Sequence, residues 1–159
     1  MSLLRRFLFN SAVVLCFFAG VSRADPARGK ENWVVSGEGF GRSFQGSVNV
    51  DRSLGPRWSL GGGVGSAGWI PSFSTYLNRY LVGEYASVYI TAGLGAAVGA
   101  GYSFWYFWPG AGLEYRAHQG PTLRAALYLP LSLSSGLYKN DLLTTRLAIW
   151  PGFSLGWCF

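Results

Sequence analysis

The stretch 86-ASVYITAGLGAAV-98 decides the fold. Its even-numbered residues, from Ala86 and Val88 through Leu94 to Val98, are all apolar. Its odd-numbered residues, Ser87, Tyr89, Thr91, Gly93, Gly95 and Ala97, are polar or small. A helix repeats its faces every 3–4 residues, whereas a strand repeats every second one. The stretch lies inside an interval from Glu84 to Glu114 that has no other charged residue. Mean hydropathy alone would make that interval a membrane helix, and the Gly95–Gly99 spacing matches helix pairing in membranes. The two-residue period points instead to a strand, long enough to cross a bilayer at a tilt, which takes about 9–11 residues.

The same alternation recurs along the chain. Phe44, Gly46, Val48 and Val50 alternate with Gln45, Ser47, Asn49 and Asp51. Trp58, Leu60, Gly62 and Val64 alternate with Ser59, Gly61, Gly63 and Gly65. Leu123, Ala125, Leu127, Leu129 and Leu131 share one face, with Arg124 and Tyr128 on the other. Phe153, Leu155, Trp157 and Phe159 alternate with Gly152, Ser154, Gly156 and Cys158. A soluble sandwich has the same period with its apolar face inward. Aromatics at the ends of the apolar faces favour a membrane barrel, whose outer band is flanked by aromatic girdles.

These segments predict strands at about 32–40, 44–52, 57–67, 73–82, 85–100, 104–117, 121–133 and 147–159. The expected fold is all-β, a membrane-spanning antiparallel up-and-down β-barrel of eight strands. An even count brings both termini to one side, with short turns there and longer loops opposite. Ser53–Pro56, Gly83-Glu84 and 118–120 read as the short turns, and 134–146 as the longest loop. Pro109, Pro130 and Pro151 each lack a ladder donor, so bulges or strand ends are expected there. The run Tyr102–Trp108 is aromatic on both faces, and 73–82 does not reveal its inward face.

Composition agrees. Glycine fills 23 of 159 positions, against a typical share of ~7%. Charged residues are 13% and apolar residues 50%, which excludes disorder. Inward glycines suit a barrel of eight strands, whose interior is filled by side chains. Glu114 and Arg124 are placed about symmetrically around the 118–121 turn and both read as inward. A lone charge there is costly, so they form the candidate lumen ion pair.

Residues 1–24 read as a secretory signal peptide, with Arg5 and Arg6, the apolar run Phe7–Val21, and small residues Ser22 and Ala24 at the cut. An uncleaved anchor is too short, since a span takes about 20 residues. Lipidation at Cys16 is disfavoured by the large Leu15 before it. The barrel domain is then 25–159, placed in the outer membrane of a Gram-negative-type cell. Removing Arg5, Arg6 and Arg23 halves the formal net charge of +6, so charge gives no case for nucleic acid. Without Cys16, Cys158 has no intramolecular disulfide partner, and it reads as a small inward residue.

The segments "SVNVDRSLGPRWSLGGGVG" (47–65), "IPSFSTYLNRYLVGE" (70–84), "PGAGLEYRAHQGPTLRAALYLPL" (109–131) and "WPGFSLGWCF" (150–159) carry a family likeness. The chain resembles small bacterial outer-membrane barrels of uncharacterised function over about 44–159, loops excepted. That family's pattern resembles Asn-Tyr-Glu-Arg, Trp-Ser, Gly-Tyr-Arg-Tyr and Pro-Gly-Ser-Leu-Gly ending in Phe. This chain departs from it at Val50-Asp51 and at Glu114. The resemblance implies fold and location and no activity. Phe153, Leu155, Trp157 and Phe159 are similar to the C-terminal signal read by the barrel-assembly machinery.

Catalytic patterns are not found. His118 is the one histidine, in a turn, with Gly120 where a deacylase-like nucleophilic serine would follow. Glu38, Asp51, Glu84 and Glu114 lie on different strands without a motif. The GGGVG at 61–65 lacks the Lys-Ser/Thr of a phosphate loop. No cofactor or metal is expected. The reading is a non-enzymatic integral outer-membrane barrel, a monomer, with a structural or surface role through the 134–146 loop. Its expected partners are outer-membrane lipid, the barrel-assembly machinery and periplasmic chaperones. The alternatives are an envelope lipid-modifying barrel enzyme of deacylase or acyltransferase type, and a narrow ion or solute pore.

Overall fold

A computed structural model describes residues 33–43, 45–82, 86–99, 102–117, 119–132 and 149–159. The expected signal segment 1–24, His118 and the 134–146 loop lie outside these residues. Nine strands form one antiparallel sheet: β1 (Trp33–Gly39), β2 (Gly46–Ser53), β3 (Trp58–Ala67), β4 (Ile70–Val82), β5 (Ala86–Gly99), β6 (Tyr102–Arg116), β7 (Gly120–Tyr128), β8 (Leu131–Ser132) and β9 (Trp150–Cys158). β1 to β7 pair in chain order, β7 pairs with β9, and β9 pairs with β1 to close the ring. β8 continues the line of β7 along β6, so the nine segments make eight staves. The fold is a closed eight-stranded up-and-down barrel, its ring completed by the β5–β6 and β1–β9 pairings.

The break between β7 and β8 has a local cause. Pro130 lies in it, and Pro109 faces it from the middle of β6. The Pro109 carbonyl accepts from Leu129 N at 2.9 Å. In an antiparallel strand a residue's N–H and C=O point to the same neighbour. The donor that Pro109 lacks is therefore missing on the side where the opposite stave is itself interrupted. Pro151 lies one residue into β9, beyond the last β1 pair, Gly39↔Phe153.

Alternation sets the faces. In β5, Ser87, Tyr89, Thr91, Gly93, Gly95 and Ala97 are buried inward, while Val88, Leu94 and Val98 face out. β4 turns Ser72, Ser74, Tyr76, Asn78 and Tyr80 inward. β6 turns Tyr106 and Trp108 inward and Trp105 outward. Arg79 follows the outward parity of β4, yet it is buried beneath Trp58, 5.4 Å from that ring.

The loops depart from the expected asymmetry. β4 begins at Ile70 and not near residue 73, because Gly68 adopts φ 73° and closes a two-residue hairpin with Trp69. Two residues also separate β5 from β6. On that end only the β1–β2 and β8–β9 connections are longer than the turns at the opposite end.

The interior is an aromatic layer of Tyr76, Tyr80, Tyr89, Tyr106, Trp108 and Tyr128. Inward glycines make room for it. Gly61 is paired with Tyr76, Gly93 with Trp108, Gly95 with Tyr106, Gly112 with Tyr89 and Gly110 with Tyr128. A Cβ on Gly93 would meet the Trp108 ring and lie 2.6 Å from the Thr75 carbonyl, while one on Gly37 would meet nothing within 4 Å. Gly93→Ala is therefore expected to cost about 1–3 kcal/mol by overpacking. Gly37→Ala should stabilise by about 0.5–1 kcal/mol, since glycine weakens a strand. Urea midpoints of the folded barrels measure both.

Candidate functional site

Polarity is inverted relative to a soluble domain. Val48, Val64, Leu113, Leu127, Phe153 and Leu155 are more than half exposed on the outer wall, while Asn49, Asp51, Asn78, Thr91 and Glu114 are sealed inside. The candidate site is accordingly the lumen, which holds two clusters of charge.

The first cluster lies toward the end that carries the N-terminus of β1. Glu114 and Arg124 are register partners on β6 and β7, and Arg124 Nε donates to Glu114 Oε2. The same guanidinium reaches Asp51 on β2, Nη1 to Oδ2 at 2.9 Å. Arg116 Nε is 3.1 Å from Glu114 Oε1, and Arg116 Nη1 donates to Ser53 at 3.0 Å. Tyr80 OH donates to Glu114 at 2.9 Å, and Asn78 Nδ2 donates to Asp51 at 3.3 Å and to Ser59 at 3.0 Å. β2 and β7 are not adjacent in the ring, so the Arg124–Asp51 bond crosses the lumen.

The second cluster sits at the other end. Glu38 on β1 accepts from Tyr128 OH at 2.9 Å and from Asn49 Nδ2 at 3.2 Å. Its third partner is Arg42, from the β1–β2 connection, at 3.5 Å. That connection folds into the mouth. Phe40, in the left-handed region at φ 58°, turns the chain inward. Trp150 Nε1 donates to the Phe40 carbonyl at 3.0 Å, and Tyr106 OH to the Arg42 carbonyl at 3.1 Å. A cavity beside Arg42, lined in part by Tyr106, Trp108 and Trp150, has a volume of only about 10 Å³, room for roughly one water. The three carboxylates, Glu38, Asp51 and Glu114, are matched by the guanidiniums of Arg42, Arg116 and Arg124.

Parity along β2 and β6 carries a signal for Asp51, inward with Asn49, and for Arg116, two residues beyond Glu114. Nothing periodic marks Arg42, because its segment is not a strand. The outward set Phe153, Leu155, Trp157 and Phe159 is exposed along β9 and its end. Cys158 is buried at the lumen face. Among the described residues, no three His, Cys, Asp or Glu side chains converge as metal ligands.

No protein-family model and no curated protein matches the sequence. Among solved structures, the N-terminal β-barrel domain of Pseudomonas aeruginosa OprF is similar. It is 17% identical, with a TM-score of 0.60, over 82% of this chain and 99% of that domain. At that identity the likeness is one of fold. This chain shares the β-barrel fold of that domain.

Proposed function

We propose that the protein is an integral outer-membrane barrel with a structural or surface role and no catalytic site. The observation that carries this reading is the inverted polarity: an apolar outer wall around a charge-balanced interior. Water does not reward such an outer wall, whereas a bilayer does. Trp33, Tyr115 and Trp157 ring one end and Phe40, Trp69 and Trp105 the other, all exposed, as interfacial girdles. The termini lie on the periplasmic side. Lipid covers the wall, and the barrel-assembly machinery and periplasmic chaperones handle the unfolded chain through the aromatic end of β9. The signal peptide, 1–24, is part of this proposal. Folding from urea into phospholipid vesicles tests it: the folded band should shift on boiling and the circular dichroism should be that of β-sheet. A band that does not shift, or a helical spectrum, sinks it.

The second reading, a narrow pore, draws on buried polar atoms that have no protein partner, among them Tyr89 OH, Thr91 Oγ1 and Thr122 Oγ1. Such groups need water or an ion. The interior of an eight-stranded barrel is filled by side chains, and here the Arg124–Asp51 bond ties non-adjacent staves together, so planar-bilayer recordings are expected to show no sustained open level. If a pore does exist, Glu114→Gln, which removes a charge from the first cluster, must change its conductance.

A further inference from the structure

We infer that the mouth of the barrel contains a binding cage for a guanidinium-type organic cation, filled in this structure by the protein's own Arg42. The Arg42 carbon Cζ lies 3.8 Å from the Tyr76 ring centroid, 5.6 Å from that of Trp108 and 5.9 Å from that of Tyr128. Aromatic faces attract a cation electrostatically, most strongly where water is excluded. Arg42 is only 2% exposed. Glu38 supplies the counter-charge at 3.5 Å, and its carboxylate is itself held by Tyr128 and Asn49.

Two features make this cage a site and not only a core contact. The guanidinium is held by charge and flat ring faces, because Arg42 Nε and Nη1 make no hydrogen bond. A free cation of the same shape can satisfy such a cage as well as the tethered one. The cage walls also belong to the barrel: Glu38, Tyr76, Trp108 and Tyr128 stand on β1, β4, β6 and β7. Only Arg42 comes from a connection. Gly41 and Gly152 keep the Glu38 carboxylate clear, since a Cβ on either would strike it. Withdrawal of one side chain therefore leaves the walls standing around the vacated space.

The test uses the full barrel folded in detergent, with Arg42→Ala titrated by methylguanidinium in a calorimeter. Saturable binding is expected, tighter than to the unaltered protein by about tenfold or more. Methylurea, flat but neutral, should not bind, and Glu38→Gln added to Arg42→Ala should abolish the gain. Titrations that match for the variant and the unaltered protein, or equal binding of methylurea, overturn the inference. If Arg42→Ala does not reach the heat-modifiable form, refolding reads the same cage. Recovery with methylguanidinium and not with methylurea supports the inference, and no recovery overturns it.

Discussion

Arg124→Ala is expected to destabilise the barrel by about 3–5 kcal/mol, the usual loss when one partner of a buried ion pair is removed. Arg124 is shared by two carboxylates on separate staves, Glu114 and Asp51. Its loss leaves Asp51, among the described residues, with the Asn78 amide at 3.3 Å. Glu114 keeps Tyr80 and Arg116. Arg116→Ala should therefore cost less, about 1–3 kcal/mol, because Glu114 retains Arg124. A domain with a total stability of about 5–15 kcal/mol would lose much of its folded fraction in the first variant and keep most of it in the second. Arg124→Met fills the space without the charge. It should fall near Arg124→Ala if the orphaned carboxylates are the cause. Urea unfolding in detergent, followed by the heat-modifiable band, measures all three. Equal midpoints for Arg124→Ala and Arg116→Ala would show that the cross-lumen bond to Asp51 contributes nothing.

Much of this barrel is written locally. Each strand must show lipid one face and a crowded lumen the other, so a two-residue period runs through 86–98, 58–65 and 153–159. Pro130 could be placed at a break because proline lacks a donor whatever surrounds it. The face of β4 is not readable from sequence, since Arg79 follows outward parity and yet is buried, with its guanidinium over Trp58 across the hairpin. The aromatic run in β6 was also ambiguous. Its inward members are admitted by glycines some ten or more residues earlier, Gly93 for Trp108 and Gly95 for Tyr106. Sequence spacing relates neighbours across a single hairpin, such as Glu114 and Arg124. It does not relate Asp51 to Arg124, or Arg42 to Tyr76, because those meetings depend on closure of the ring and on a connection that turns inward.

Leu94→Arg separates a lipid-facing wall from a wet one. Leu94 is 47% exposed near the middle of β5. In water an arginine at an exposed position is nearly neutral, within about 0.5 kcal/mol. At the middle of a bilayer the same substitution on the lipid face of a barrel costs about 2–4 kcal/mol, falling toward zero at the interfaces. The barrel folded into vesicles is expected to lose that amount at Leu94 and far less at Trp69, which stands fully exposed in the β3–β4 hairpin at the rim. Depth is what distinguishes the two sites, since both side chains are already outside the protein. The comparison of the unaltered, Leu94→Arg and Trp69→Arg barrels therefore reads the surrounding solvent directly, by urea midpoint in vesicles. A near-zero cost at Leu94, equal to that at Trp69, would mean that water and not hydrocarbon meets this wall. The apolar exterior would then have to be covered by protein.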